Sequence, residues 1–427
     1  MDQKIVDFVD IRKSLRKNEV WRDVDFSEII GENLSMPDEC AKSVREIHCT
    51  IPELQTFRCT IENGFVHGIQ ESVVAGLTVC SMKDAMVHFP DKVAEVFGKC
   101  CESSNPYLEY NTRFYNDGIF VYVHDNTVVD IPVQIMSLTD SDTPLFLQNR
   151  NLVYVGKNSR ISIINCDDSC NEKSGFANNV TEIFVDSNAS VQHYKMQNLN
   201  DSTGLLNHTY VSMRKGAAFS SVFVTLNGGY IRNHCEVVML GEYCDVQVNG
   251  LYLNDKSQRV ENYVFVDHAV PNCKSNELFK GILDDVSKAV FNGHVLVREK
   301  AVKTEAVQTS RNVLLNDKAL VNARPFLEIY NDDVKCSHGS TVGQIDESAL
   351  FYICSRGISE RTARTLLLYA FCDEVIQRIE LVALRDRLID MVKKRLHGEL
   401  TVCAECALNC STPCGGEMHF PIDVSKL

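Results

Sequence analysis

The chain has 427 residues, 44% hydrophobic and 23% charged, an ordinary globular composition with room for a sizeable core and two or three domains. Its 43 Lys and Arg against 57 Asp and Glu give a formal charge of −14, which repels phosphate backbones and argues against general nucleic-acid binding. No apolar run approaches the roughly 18–20 residues that span a bilayer, so no membrane span is expected.

The start, MDQKIVDFVDIRKSLRKNEVW, is charged throughout and carries no apolar secretory stretch. The expectation is a cytoplasmic protein, or one of an organelle stroma or matrix in a eukaryote. In such a reducing compartment most of its 18 cysteines, among them Cys80, Cys235, Cys354 and Cys372 in apolar stretches, read as buried thiols. Residues 1–110 predict an N-terminal helical and mixed domain. Ile5, Phe8, Val9 and Ile11 recur at helical spacing, and Thr56 to Val66 alternates like a strand. Ser81 to Lys99 reads as a helix, with Met82, Ala85, Met86, Val93, Val96 and Phe97 on one face and Pro90 as an interruption.

From Asn111 the texture changes. Short β-branched and aromatic runs follow one another, from Ile119–Val123, Leu152–Val155 and Ile161–Ile164 to His294–Val297 and Phe326–Ile329. Each is about four to six residues long and bounded by Asn, Asp, Gly or Ser. The turns share a form: Lys157-Asn-Ser, Ser187-Asn-Ala-Ser, Lys215-Gly-Ala-Ala, Asn316-Asp-Lys-Ala. Their spacing, about 25–30 residues early and about 15 later, suggests stacked coils whose earlier rungs carry hairpin-like extensions. A parallel β-helix over 111–342 fits this pattern, and a β-sandwich shares many of its signals.

Helical texture returns over 343–400. Ser359 is placed to cap a helix in which Ala363, Leu366, Leu367, Ala370, Phe371, Val375, Ile376 and Ile379 recur, and a basic amphipathic stretch runs from Leu381 to Leu396. The tail, 401–427, is Cys-rich.

Two constellations carry chemistry. In the first, Asp332, Asp333, Cys336 and His338 cluster, and residues two apart on a strand share a face. Cys336 and His338 would then present a thiolate and an imidazole side by side, ligands for iron or zinc that a partner would have to complete. On these residues alone a buried thiol beside a hydrogen-bonded histidine is the simpler account, and a Cys–His nucleophile lacks an orienting acid. The second is Cys403-x2-Cys406-x3-Cys410-x3-Cys414, dense enough for a zinc or iron–sulfur site, though looser than paired zinc knuckles and also compatible with a reduced, unliganded tail. No G-x-x-x-x-G-K-[ST] phosphate loop is present.

The run from Val290 to Ala363 resembles the core of the SufB/SufD family of iron–sulfur cluster assembly scaffolds. Its markers are Phe291-x-Gly293, Lys303-Thr304, Gln308, Leu314-Leu315, Ala319, Pro325-x-Leu327-Glu328-Ile329, Asp333-Val334-Lys335-Cys336, His338-Gly339, Phe351-Tyr352 and Arg356-Gly357. Asp267-His268, Pro271, Ser275 and Lys280-Gly281 match upstream; Asn18–Trp21, Asn63-Gly64 and Asn111 match more weakly. Gly339 and Ala319 stand where the SufB branch carries a glutamate and a cysteine, so the chain is similar to the SufD branch.

The resemblance implies a mainly β protein, a right-handed parallel β-helix between helical N- and C-terminal domains. It implies a non-catalytic scaffold that pairs edge-on with a SufB homologue and binds a SufC ATPase homologue through its C-terminal helices. A transient iron–sulfur cluster would form at the SufB interface, with Cys336 and His338 among its ligands. The competing readings are a secreted-type β-helix carbohydrate-active enzyme and a stand-alone metal or redox protein built on the tail. The first lacks a carboxylate ladder along the rungs.

Overall fold

A computed structural model describes residues 2–397 except 16, 28, 31–33, 39–50, 52, 71–73 and 101–104. It is mainly β, a parallel β-solenoid of about eight turns flanked by helices near both ends of the chain. Successive strands alternate between two sheets, one of ten strands and one of nine, so each strand hydrogen-bonds to the next but one in sequence.

From Ile119 on the coil repeat varies little. Gly204 pairs with Tyr230 and Lys288 with Leu320, the shortest and longest steps, so parallel neighbours there lie 26 to 32 residues apart. The loose and tight spacings in the sequence are therefore the whole coil and the half coil, and no hairpin extensions interrupt the described rungs after Val133. From Leu145 on the strands run 9 to 11 residues, longer than the apolar runs suggested. Their ends are written in Asn, Gln, Ser and Thr, which read as turn residues in sequence but complete the ladder in the fold.

Two physical devices stack the coils. Inside, β-branched and aromatic side chains such as Ile135, Ile163, Val191, Phe219, Val246 and Val264 form one continuous core, because parallel register carries each apolar position onto the next. At the corners, Asn126, Asn158, Asn188 and Gly216 adopt positive φ of 54° to 70°. Asparagine and glycine tolerate that conformation, and the amides cross-link the turns: Asn158 Nδ2 donates to Asn126 Oδ1 at 2.9 Å and Asn188 Nδ2 to Asn158 Oδ1 at 3.1 Å.

The sheets reach past residue 111 toward the N-terminus. Phe57–Glu62 pairs in parallel with Val133–Thr139 and turns through Asn63-Gly64, both at positive φ, into Phe65–Ile69. Leu77–Ser81 pairs with Ile119–Val123. The predicted helix after Ser81 is two, Met82–His88 and Pro90–Val96, with Ser81 capping the first and Pro90 opening the second.

Helices cover the outer faces. Helix Gln3–Leu15, Trp21 and Phe26 pack with Tyr107 and Tyr110 against Phe146, Phe176 and Tyr230. Glu360–Ile376 and Val382–Leu396 fold back over the other sheet, placing Leu368, Cys372, Val375, Ile376, Leu384 and Leu388 on Ile164, Val222, Leu251 and Leu278. Ser359 caps the first of these, accepting from the Thr362 N–H. Of the four cysteines expected to be buried, Cys235 and Cys372 are; Cys80 and Cys354 are partly exposed. No described helix is long and apolar enough to cross a membrane.

Candidate functional site

The solenoid ends on two strands with nothing beyond them among the described residues. Leu320–Ile329 closes one sheet and Val334–Gly343 the other, each paired on one side only. An unpaired strand edge is a template for another strand. Around it stand apolar side chains in water: Leu320 is 57% exposed and Phe326 52%, joined by Ile329, Tyr330 and Val342. Helix Glu347–Cys354 follows, capped by Asp346, with Phe351 and Tyr352 also exposed.

Cys336 and His338 lie on the last of these strands. Cys336 is in register with Ala306 and His338 with Gln308, and both of those neighbours are fully buried in the interior column. Alternation therefore directs Cys336 and His338 together over the mouth of the solenoid. Cys336 is half-buried against the small cluster of Val295, Val297, Ala301 and Ala306, whereas His338 is exposed. Burial pushes the Cys336 thiol above its ordinary range, partly offset by the Ala306 backbone. Asp332 and Asp333 sit instead in the exposed turn before the strand, where the Asp333 carbonyl accepts from the Lys303 N–H at 2.6 Å. They do not join the pair.

Among the described residues no three His, Cys, Asp or Glu side chains gather as a metal site, so Cys336 and His338 are not completed by this chain's described portion. The tail cysteines Cys403, Cys406, Cys410 and Cys414 lie outside the described residues.

The ground beneath His338 is polar, and its deeper member, Glu277, is one that motif reading passed over. Gln308 Nε2 donates to Glu277 Oε2 at 2.8 Å, directly under His338. Burial pushes the Glu277 carboxyl up to about 8, against the lowering effect of the Gln308 bond. On the outer face of the same end, His294 Nε2 lies 3.1 Å from Glu328 Oε2, and the Tyr330 hydroxyl bonds the other oxygen of Glu328. Burial lowers the His294 imidazole and Glu328 raises it in part. The alternation of Glu328 and Tyr330 was the available signal for this cluster.

Several marker residues prove to be structural. Arg298 grips Asp267 with Nε at 3.0 Å from Oδ1 and Nη2 at 2.6 Å from Oδ2. His268 and Ser275 are hydrogen-bonded at 2.8 Å. Lys280 donates to the Phe371 carbonyl at 2.9 Å and pairs with Glu374, tying the C-terminal helix to the coils. Gly293 is required by space, since a Cβ there would lie 2.2 Å from Gln308 Nε2, whereas a Cβ on Gly339 would meet nothing within 4 Å.

Comparison with known proteins agrees with this frame. Residues 137–371 match the model of the SUF system FeS cluster assembly SufBD core domain, and residues 2–135 that of the SufBD protein N-terminal region. The chain is 28% identical to an iron–sulfur cluster assembly SufBD family protein of Synechocystis over 398 residues, 90% of this chain and 88% of that protein. It is 34% identical over 231 residues to the Escherichia coli iron–sulfur cluster assembly protein SufD, a match spanning 54% of each. A chloroplastic protein of Arabidopsis thaliana is 27% identical over 392 residues, 88% of this chain and 82% of its own. With both domain models matched in order along the chain, it belongs to the SufB/SufD family of iron–sulfur cluster assembly proteins.

Proposed function

We propose that this protein is a SufD-like scaffold subunit that does not itself turn over substrate, and that a SufB homologue docks on its open solenoid end. The observation that carries the reading is the placement of Cys336 and His338, two apart on a terminal strand whose outer edge is unpaired. A thiolate and an imidazole form half a coordination sphere for iron, and a partner strand laid along the edge supplies the rest. The iron–sulfur cluster is cargo, assembled across the interface and passed on. A SufC ATPase homologue supplies the work of rearrangement from the helices Glu360–Ile376 and Val382–Leu396, on their faces turned away from the coils.

The test is reconstitution on the purified three-component complex. Cys336→Ser replaces a soft thiolate with a hard hydroxyl, and His338→Ala removes an imidazole. Each should leave complex formation intact and lower the cluster yield severalfold, while loss of Cys403, Cys406, Cys410 and Cys414 leaves it unchanged. If the tail variant eliminates the cluster and the Cys336 and His338 variants assemble it at the normal rate, the interface reading is wrong. Charge reversal at Arg385 and Arg387, both half-exposed, should weaken SufC binding; unchanged affinity places that contact elsewhere.

A further inference from the structure

Cys244 and Cys273 are 29 residues apart in sequence and neighbours in space. Each immediately precedes a strand, Asp245–Asn254 and Lys274–Leu283, and those strands pair with Asp245 opposite Lys274. The ladder extends back to the cysteines, because the Lys274 N–H donates to the Cys244 carbonyl at 2.9 Å and the Glu305 N–H to the Cys273 carbonyl at 3.1 Å. Parallel neighbours lie about 4.8 Å apart, inside the roughly 4.4–6.8 Å separation of α-carbons that a disulfide bridges. Both thiols are free and buried at one corner of the solenoid.

The corner is built around sulfur. Cys244 Sγ lies 3.0 Å from the Gly241 carbonyl and 3.1 Å from that of Arg214, and Cys273 Sγ lies 3.5 Å from the carbonyls of Gly241 and Pro271. The two thiols are also hydrogen-bonded to each other, and backbone N–H groups of Cys244 and Tyr243 face the Cys273 sulfur. The hydrogen bond with Cys244 lowers the Cys273 thiol against its burial, and the same bond, with burial, raises Cys244. Cys59 and Cys80, on strands of different sheets, behave differently. Both are pushed up, chiefly by burial, to about 12 and about 11. Beside the corner, the turn residue Tyr243, next to Cys244 in the chain, is exposed.

We propose that Cys244 and Cys273 form a peroxide-responsive dithiol, which closes to a disulfide linking consecutive coils. The Cys273 thiolate attacks one oxygen of hydrogen peroxide, the O–O bond breaks, and the departing hydroxide takes up a proton to leave as water. The Cys244 sulfur then attacks the Cys273 sulfenic acid, an S–S bond forms, the S–O bond breaks and a second water leaves. Two thiols lose two electrons and one peroxide gains them. Cys273 is the attacking thiol and Cys244 the resolving one.

The test is a non-reducing peptide map of the full-length protein after brief exposure to hydrogen peroxide, read against the same sample reduced with dithiothreitol. The expected result is a cross-linked Cys244–Cys273 peptide that disappears on reduction, formed before any Cys59–Cys80 link. In Cys244→Ser the resolving thiol is gone while a hydroxyl remains to hydrogen-bond Cys273, so Cys273 should stop at a sulfenic acid that dimedone traps. The wild-type map needs no variant to fold. Recovery of both peptides as free thiols while other cysteines oxidise overturns the proposal, as does alkylation of Cys273 no faster than that of Cys59.

Discussion

Gln308 holds Glu277 from the coil above it, donating from Nε2 to Oε2 at 2.8 Å, with His338 next in the same column. The carboxyl is sealed inside the solenoid, its second oxygen without a hydrogen-bond partner. Burial pushes it up to about 8, so the folded protein keeps its proton where the unfolded chain has lost it. Stability therefore falls as pH rises from the unfolded carboxyl range, near 4.5, to about 8, and the full cost persists above it. Glu277→Gln removes that titration. The melting temperature of the variant relative to wild type should climb by several degrees between pH 5 and pH 8. A difference that does not change with pH would mean that Glu277 is ionised in the folded state.

The two marker glycines near the site should separate by variant. At Gly293 a Cβ would also lie 2.8 Å from the Phe291 ring, so Gly293→Ala has to displace the Gln308 amide or the ring. Overpacking of this kind costs about 1–3 kcal/mol, read by urea denaturation. Gly339→Ala meets open space and should stay within about 0.5 kcal/mol of wild type. An equal loss in both would mean that backbone preference and not space selects glycine here.

The apolar rim should matter to partners and not to folding. Phe326→Asp and Leu320→Lys alter side chains already more than half exposed, so melting should be nearly unchanged. Affinity for the SufB homologue should drop about tenfold or more for the aromatic, which is the anchor type that dominates interfaces. Calorimetric titration measures it, and unaltered affinity would place the dock away from this end.

Cluster loading should depend on pH through Cys336. Its thiol is raised by burial and must lose a proton to bind iron, so loading through it quickens as pH rises across the neutral range toward 9. Absorbance of reconstituted cluster against pH should be steep in the wild-type complex and flatter in Cys336→Ser. Equal slopes would mean that the thiol is not the proton that limits loading.

The sequence by itself determined the local chemistry. Asn and Gly at the corners, β-branched runs between them and Ser359 before an amphipathic helix each obey rules that act within a few residues, and each stands where the pattern placed it. That Cys336 and His338 lie two apart on one strand was legible for the same reason, since strand alternation puts such residues on one face.

Tertiary structure decided whatever depends on stacking. Strand lengths were underestimated because polar residues such as Asn149, Asn179, Asn207 and Asn233 lie opposite one another inside the coils, where Asn207 Nδ2 donates to Asn233 Oδ1 at 3.2 Å. The fold-back of Val382–Leu396 onto coils more than a hundred residues upstream, where Arg395 reaches the Leu226 carbonyl at 3.1 Å, leaves no local trace. Neither does the meeting of Cys244 with Cys273, or the exposure of one strand edge above Glu277. Periodicity announces that coils repeat; which residues share a column depends on a register that shifts between 26 and 32 residues from coil to coil. A slip of one residue turns every side chain to the opposite face, so only the folded ladder fixes which groups stand together.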